Sequence, residues 1–194
     1  EIFEDKEYGD NFDGIVLDIG CSNGDSSIYF AKHGAKKVIA LEPDPESYEL
    51  AIENINMNNL KNVTILNKGL GSMVGKRKFM ISTNSPNANA LEPTRSIKDL
   101  GIKFDREMYI EVIDLDYLLR FIDNEDIVLL KMDCEGCEYE VFDNTDKRVL
   151  DKIKNIILEY HDYPKNIPSL LKKQGFKVEY EDQRIGKLKA YKNA

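Results

Sequence analysis

The chain has 194 residues, and its content of 42% hydrophobic and 32% charged residues is that of a soluble globular domain. This length suffices for one hydrophobic core, so we expect a single domain over residues 1–194 with a lead-in over 1–13. The net charge of −8 argues against non-specific nucleic-acid binding, and no apolar run reaches the ~20 residues that a membrane span needs.

The first part of the chain alternates between short apolar runs and helical patterns. The apolar runs predict strands over 15–19, 38–41 and 63–66, and the segments between them predict helices over 26–33 and 45–58. Strands that alternate with helices connect through right-handed crossovers. This part of the sequence therefore predicts a parallel sheet.

The middle of the chain breaks this alternation. Residues 76–82 and 108–113 alternate like half-exposed strands, and a polar, turn-rich stretch over 83–105 lies between them. We interpret this as an inserted loop flanked by two antiparallel edge strands. A loop of this length in a compact domain usually has a function, so we expect it to act as a lid.

The last part of the chain returns to the α/β pattern. After a short helix over 114–121, strands are predicted over 127–133 and 156–160 and helices over 136–142 and 167–174. The chain then closes with a hairpin over 176–180 and 187–191. The fold class is therefore α/β, with a seven-stranded, mostly parallel sheet, an antiparallel C-terminal hairpin and one inserted loop.

A glycine-rich loop follows the first strand. Asp18 lies in the strand, and Gly20 and Gly24 bound the loop before the next helix. Glycines let bare backbone approach a ligand, and the free N–H groups of the helix start face it. Glu42 ends the second strand, where an acid is well placed to bind two ribose hydroxyls. The Gly-x-x-x-Gly spacing favours S-adenosylmethionine over NAD.

In an open α/β sheet, ligands bind at the carboxyl ends of the strands. We therefore expect the residues that follow each strand to form one site. Those expected to contact the cofactor are Asp18, Gly20, Cys21, Ser22, Asn23, Gly24, Glu42, Pro43, Asn67, Gly69 and Asp133.

The segment after the strand over 127–133 resembles a known signature. Lys131, Asp133, Glu135, Gly136 and Glu138 match the Lys-Ile-Asp-Val-Glu-Gly-x-Glu pattern of the FkbM family of S-adenosylmethionine-dependent methyltransferases. The glycine loop is also similar to that family's Asp-x-Gly-Ala-Asn-x-Gly pattern. The resemblance implies a class I methyltransferase fold and methyl transfer, usually to an oxygen of a natural product, sugar or lipid-like acceptor.

An oxygen acceptor needs a base close to the transferred methyl group. His161 is the best candidate by residue type, because its ordinary pKa lies near working pH. Glu135 and Glu159 are competing bases, and we include Asp133 in the catalytic set. We assign no metal, although Asp133, Glu135, Glu159 and His161 are also a possible ligand set for a divalent cation.

The pair Cys134 and Cys137 follows a strand and opens a helix, as redox Cys-x-x-Cys motifs do. The acids around it disfavour thiolates, so we interpret both cysteines as small apolar residues rather than a redox or metal site. Three cysteines without framework spacing also favour a reducing compartment, and we expect a cytoplasmic protein.

Three other functions remain open. They are an NAD-dependent enzyme, a module that binds a nucleoside cofactor without turnover, and an RNA methyltransferase, which the net charge of −8 disfavours. We expect a small-molecule acceptor as the partner, and the sequence leaves its identity and the oligomeric state open.

Overall fold

The computed structural model describes residues 8–9, 11–122 and 125–192, which build a seven-stranded sheet and a separate three-stranded sheet. The strands of the large sheet are β1 (Ile15–Ile19), β2 (Lys37–Leu41), β3 (Val63–Leu66), β7 (Ile127–Met132), β8 (Asn155–Tyr160), β9 (Lys177–Tyr180) and β10 (Gly186–Tyr191). Their order is β3-β2-β1-β7-β8-β10-β9, with β10 antiparallel to both of its neighbours. The predicted fold class is confirmed.

Helices cover both faces of this sheet, which explains why its central strands are apolar throughout. In β1, Val16 packs against Phe30 on one face, whereas Ile15, Leu17 and Ile19 belong to the main core on the other. The α-helices are α1 (Asp25–Lys32), α2 (Pro45–Met57), α3 (Arg95–Asp99), α4 (Leu115–Leu118), α5 (Cys137–Asn144), α6 (Lys147–Asp151) and α7 (Ile167–Lys173).

The strands of the middle segment pair antiparallel, as predicted, but they form a separate sheet in which only one of them lies at an edge. They pair antiparallel as β5 (Gly75–Ile81) and β6 (Arg106–Ile113), and the short β4 (Gly69–Leu70) runs parallel to β6. Phe79, Ile81, Ile110 and Val112 give this sheet its own small core. Their alternation produces one apolar face for that core and one polar face, which the sequence pattern alone cannot distinguish from an edge strand.

The inserted segment over 83–105 contains little regular secondary structure, but hydrogen bonds and ion pairs connect it to the rest of the chain. It contains one 3₁₀ turn, Pro86–Ala88, and the helix α3, whose N-cap Thr94 accepts a hydrogen bond from the Ile97 N–H. Ser96 Oγ donates to Asp162 Oδ1 at 3.0 Å, and Arg184 pairs with Asp99 at 2.6 Å. The segment is therefore docked against the chain that follows β8.

No helix within the described ranges is long and apolar enough to cross a membrane. Most of the predicted lead-in, residues 1–7 and 10, lies outside the described residues. The division of the chain into one domain with this lead-in stays a prediction.

Candidate active site

A cleft opens at the carboxyl ends of β1, β2 and β7. The parallel strands of the large sheet bring these ends together. Residues from the sequence-predicted site that line the cleft are Gly20, Ser22, Glu42, Pro43, Gly69, Asp133 and Glu135. The insert, which the sequence predicts as a lid, and the second sheet supply further wall residues that the sequence did not single out: Phe79, Pro86, Asn87, Asn89 and Leu91.

Gly20 is fixed by a close approach of two backbone segments. Its φ is +73°, and an added Cβ would lie 1.8 Å from the carbonyl oxygen of Asp133. No side chain fits there, so the loop lies directly against the end of β7. This contact explains why a glycine must follow β1 and why the loop and Asp133 face the same cleft.

Beneath the loop, Lys131 and Asp18 form a buried ion pair. Lys131 Nζ lies 3.2 Å from Asp18 Oδ1 and donates to the carbonyl oxygen of Gly20 at 2.6 Å. Ser26 and Ser27 each donate to Asp18 Oδ2 at 2.6 Å. Burial lowers the pKa of Lys131, but the charges of Asp18, Asp133 and further neighbours together outweigh burial and raise it above the ordinary value. The pair joins β1, β7, α1 and the glycine loop.

Glu42 connects the ends of the first two strands. Its Oε2 accepts from the Ser22 N–H at 2.8 Å, and its Oε1 accepts from the Asp44 N–H at 2.8 Å. Burial raises the pKa of Glu42 to about 7, although these two N–H groups lower it. Each carboxylate oxygen keeps a second lone pair for a ligand.

Five of the residues predicted to bind the cofactor do not line this cleft. Asp18 and Cys21 are buried beneath it, and Asn67 Nδ2 donates to the carbonyl oxygens of Glu42 and Pro43 at 2.9 and 3.2 Å. These three residues support the loops that form the walls. The five predicted residues that do not line the cleft are Asp18, Cys21, Asn23, Gly24 and Asn67.

The other end of the cleft carries a cluster of acids around one histidine. His161 Nε2 lies 3.3 Å from Glu135 Oε2 and 3.8 Å from Asp133 Oδ1. It also lies 3.8 Å from Glu159 Oε1, and His161 Nδ1 lies 3.3 Å from Glu138 Oε1. His161 is only 4% exposed, so Asp133 and Glu135 form the cleft wall and the imidazole lies behind them.

The charges of this cluster shift two pKa values. Burial lowers the pKa of His161, but the hydrogen bond and charge of Glu138 and the charge of Glu135 outweigh burial and raise it to about 9. Burial raises the pKa of Glu135 to about 8; the charge of His161 lowers it and the charge of Asp133 raises it. Shifts of this size are frequent in functional sites.

The interpretation of Cys134 and Cys137 as unpaired apolar residues is wrong, because a disulfide joins them. Glu135 and Gly136 both have positive φ, and this tight turn brings the two Cα atoms to 5.5 Å. Cys21 remains a free, buried cysteine. Because two of the three cysteines are paired, the cysteines no longer support the expectation of a reducing compartment.

The sheet order, the antiparallel strand β10, the glycine loop after β1 and the acid after β2 define a class I methyltransferase, a fold whose cofactor is S-adenosylmethionine. The chain belongs to the FkbM methyltransferase family: the family model described as "Methyltransferase FkbM domain" matches residues 18–178.

Other methyltransferases are similar to this chain. Methyltransferase sdnD of Sordaria araneosa is 25% identical to this chain in an alignment that covers 84% of this chain and 74% of that protein. The crystal structure of methyltransferase FkbM from Methylobacillus flagellatus KT has a TM-score of 0.60 and 17% identity. It covers 94% of this chain, which spans 44% of the solved protein. TrmK of M. capricolum, solved with S-adenosylhomocysteine, has a TM-score of 0.52 and 14% identity, and the match covers 94% of this chain and 64% of TrmK.

Proposed function

We propose that this chain transfers the methyl group of S-adenosylmethionine to an oxygen atom of a small-molecule, sugar or lipid-like acceptor. The observation that carries the proposal is a single cleft with two chemically different ends. Glu42 and the glycine loop form one end, and Asp133 and Glu135, with His161 behind them, form the other. One end suits a nucleoside and the other suits a hydroxyl group that must lose a proton.

The first end fits the nucleoside part of the cofactor. The glycine loop carries no side chain at Gly20, so a ligand can approach its backbone closely. Glu42 offers two carboxylate oxygens with unused lone pairs to the ribose hydroxyls. The cofactor then directs its methionine part along the loop towards Asp133.

The second end provides the chemistry that the protein must supply. S-adenosylmethionine brings a methyl group on a sulfonium, which is already a good leaving group. The enzyme therefore has to hold the acceptor oxygen in line with that methyl group and to remove its proton. Asp133 and Glu135 receive the hydroxyl group at the cleft wall. The imidazole of His161, on the side away from the cleft, orients these carboxyl groups and favours the ionised form of Glu135.

Replacing Glu42 with glutamine tests the nucleoside end. The amide keeps the size of the side chain but loses the charged acceptor, and a hydrogen bond to a charged group contributes about 1.5–3 kcal/mol. Calorimetric titration with S-adenosylhomocysteine should therefore show binding that is about tenfold weaker or worse. The exposed Glu53 of α2 provides the matched control, since Glu53→Gln should bind like the wild type. Equal affinity of both variants, or tighter binding of NAD than of S-adenosylhomocysteine, would contradict the assignment.

The pH dependence of cofactor binding follows from the pKa of Glu42. This carboxyl is protonated below its pKa of about 7 and ionised above it. The ionised form accepts hydrogen bonds from the ribose more strongly, so affinity should rise as pH increases through 7, by at most about tenfold per pH unit. Calorimetry at several pH values measures this, and the slope should disappear in Glu42→Gln. A slope that persists in that variant assigns the effect to another group.

We also propose that the insert over 83–105 closes over the acceptor. Thr94 Oγ1 donates to the backbone carbonyl of His161 at 2.7 Å, and Asn87 and Leu91 line the cleft. Hydrogen exchange in this segment should slow when S-adenosylhomocysteine binds, while exchange in β1 should stay slow throughout. The same exchange rate in the insert with and without ligand would rule out closure.

The acceptor class is tested by transfer of a labelled methyl group. The protein is incubated with methyl-labelled S-adenosylmethionine and fractions of cell extract, and the labelled product is identified. We expect the label on oxygen in the small-molecule fraction, because the net charge of −8 repels phosphate backbones. Label in RNA would contradict this acceptor class. Cofactor binding without any labelled product would instead favour a non-catalytic module.

A further inference from the structure

Asp133, Glu135 and His161 offer one ligand atom each, and these three atoms all lie within 4.8 Å of one another. They come from the ends of the adjacent strands β7 and β8. Around a first-row metal ion, ligand atoms about 2.0–2.2 Å from the ion lie roughly 3.0–3.5 Å apart. The observed separations of 3.3 and 3.8 Å from His161 Nε2 differ from this by a few tenths of an ångström at most.

One ring nitrogen of His161 contacts a buried carboxylate, as the second ring nitrogen of a metal-binding histidine usually does. The residue is 4% exposed, and its Nδ1 lies 3.3 Å from Oε1 of Glu138, which is fully buried. Among the described residues, Nε2 makes no hydrogen bond, and carboxylate oxygens of Glu135, Asp133 and Glu159 lie 3.3, 3.8 and 3.8 Å from it. When a metal ion displaces the Nε2 proton, a carboxylate that accepts the Nδ1 proton holds the imidazole in the tautomer whose Nε2 lone pair faces the ion.

The charge around this imidazole is unbalanced. Asp133, Glu135 and Glu138 share one histidine, and within the described ranges no lysine or arginine forms an ion pair with any of these acids. The buried Lys131 pairs with Asp18 instead. One oxygen of Glu138, Oε2, is buried without a hydrogen-bond partner among the described residues. A doubly charged cation next to Nε2 would balance these carboxylates.

We propose that Asp133, Glu135 and His161 bind a first-row divalent cation, and that Glu138 is the positioning residue for His161. One imidazole among oxygen ligands favours an ion such as Mn²⁺ or Zn²⁺ over Mg²⁺ or Ca²⁺, which prefer oxygen alone. The role of the ion rests on the proposed function. The ion lies on the acceptor side of the cleft, where it would bind the acceptor oxygen. Binding of that oxygen lowers the pKa of its hydroxyl group.

Titration with Mn²⁺ tests this site without measuring activity. The protein is freed of metal with EDTA, transferred to metal-free buffer, and titrated while electron paramagnetic resonance follows free Mn²⁺. We expect one bound ion per chain. Glu135→Gln and His161→Gln should weaken binding at least tenfold, and Glu138→Gln should weaken it by about 10–100-fold. The control Glu53→Gln should bind like the wild type.

Two results would overturn the site. One is the absence of saturable Mn²⁺ binding up to roughly 1 mM in the folded wild type. The other is wild-type affinity in Glu135→Gln, which decides the matter even where His161→Gln fails to fold. Calorimetry with S-adenosylhomocysteine separates this inference from the proposed function. Cofactor binding without Mn²⁺ binding contradicts the metal site alone, and Mn²⁺ binding without cofactor binding contradicts the proposed function alone.

Discussion

His161→Ala is expected to lower methyl transfer by about 10²–10⁴-fold, the usual contribution of proton transfer in the transition state, because Asp133 and Glu135 lose the imidazole that orients them. His161 is the centre of the acid cluster, within 3.8 Å of both Asp133 and Glu135. It does not line the nucleoside end of the cleft, so the affinity for S-adenosylhomocysteine should stay close to that of the wild type. Steady-state kinetics and calorimetry measure the two quantities separately.

The chain offers a matched control, since it contains two histidines. His33 lies at the C-cap of α1, where its ring stacks on Tyr29 with 4.0 Å between centroids. His33→Ala should therefore lose some stability but keep its turnover number. Wild-type turnover in His161→Ala would show that proton removal does not depend on the imidazole. A parallel loss of cofactor affinity would indicate that the variant disturbs the whole cleft.

Lys131→Met should have the largest effect on stability. The substitution removes the positive partner of Asp18, which is fully buried, and a buried charge left without its partner costs about 3–5 kcal/mol. It also removes the hydrogen bond to the carbonyl of Gly20, so the cofactor loop loses its support from below. Urea denaturation measures the change in the free energy of unfolding.

The double variant Asp18→Asn with Lys131→Met separates charge from packing. It removes both charges, so it should recover a substantial part of the stability that the single variant loses. Ser26 and Ser27 can still donate to the amide oxygen that the Asp18→Asn substitution leaves in place of the carboxylate. A Lys131→Met variant within about 1 kcal/mol of the wild type would show that the pair contributes little.

The strands of the large sheet were predictable because burial on both faces makes them short apolar runs. The prediction of 15–19 matches β1, and that of 63–66 matches β3. The helix α6, Lys147–Asp151, was not predicted. It has five residues, too few for a helical period to show in the sequence. The existence of a second sheet was not predicted, because alternation identifies a strand but not the sheet to which it pairs.

The sequence predicted which residues follow the strands and form the site, but it did not predict the hydrogen-bond partners of their side chains. Position after a strand indicated Glu42, Asp133 and His161, which lie at or beside the cleft. The role of Asn67 depends on the carbonyls of Glu42 and Pro43, which only the folded chain brings within reach. Lys131 was visible as a charge within an apolar strand, a signal that indicates a buried ion pair.

The disulfide required knowledge of the backbone between its cysteines. A Cys-x-x-Cys spacing is compatible with free thiols, a metal site or a disulfide. The positive φ of Glu135, a residue type that rarely adopts this conformation, brings the two ends of the turn together. The residue type of Glu135 predicts an acid at the active site, but it does not predict a positive φ.

A crystal structure with S-adenosylhomocysteine bound tests the central claim most directly. The account predicts that both ribose hydroxyls lie within hydrogen-bond distance of Glu42, with the backbone of Gly20 against the methionine part. The sulfur should point towards Asp133 and Glu135, where the acceptor oxygen is expected. A nucleoside bound outside this cleft, or a sulfur directed away from the acid cluster, would contradict the account.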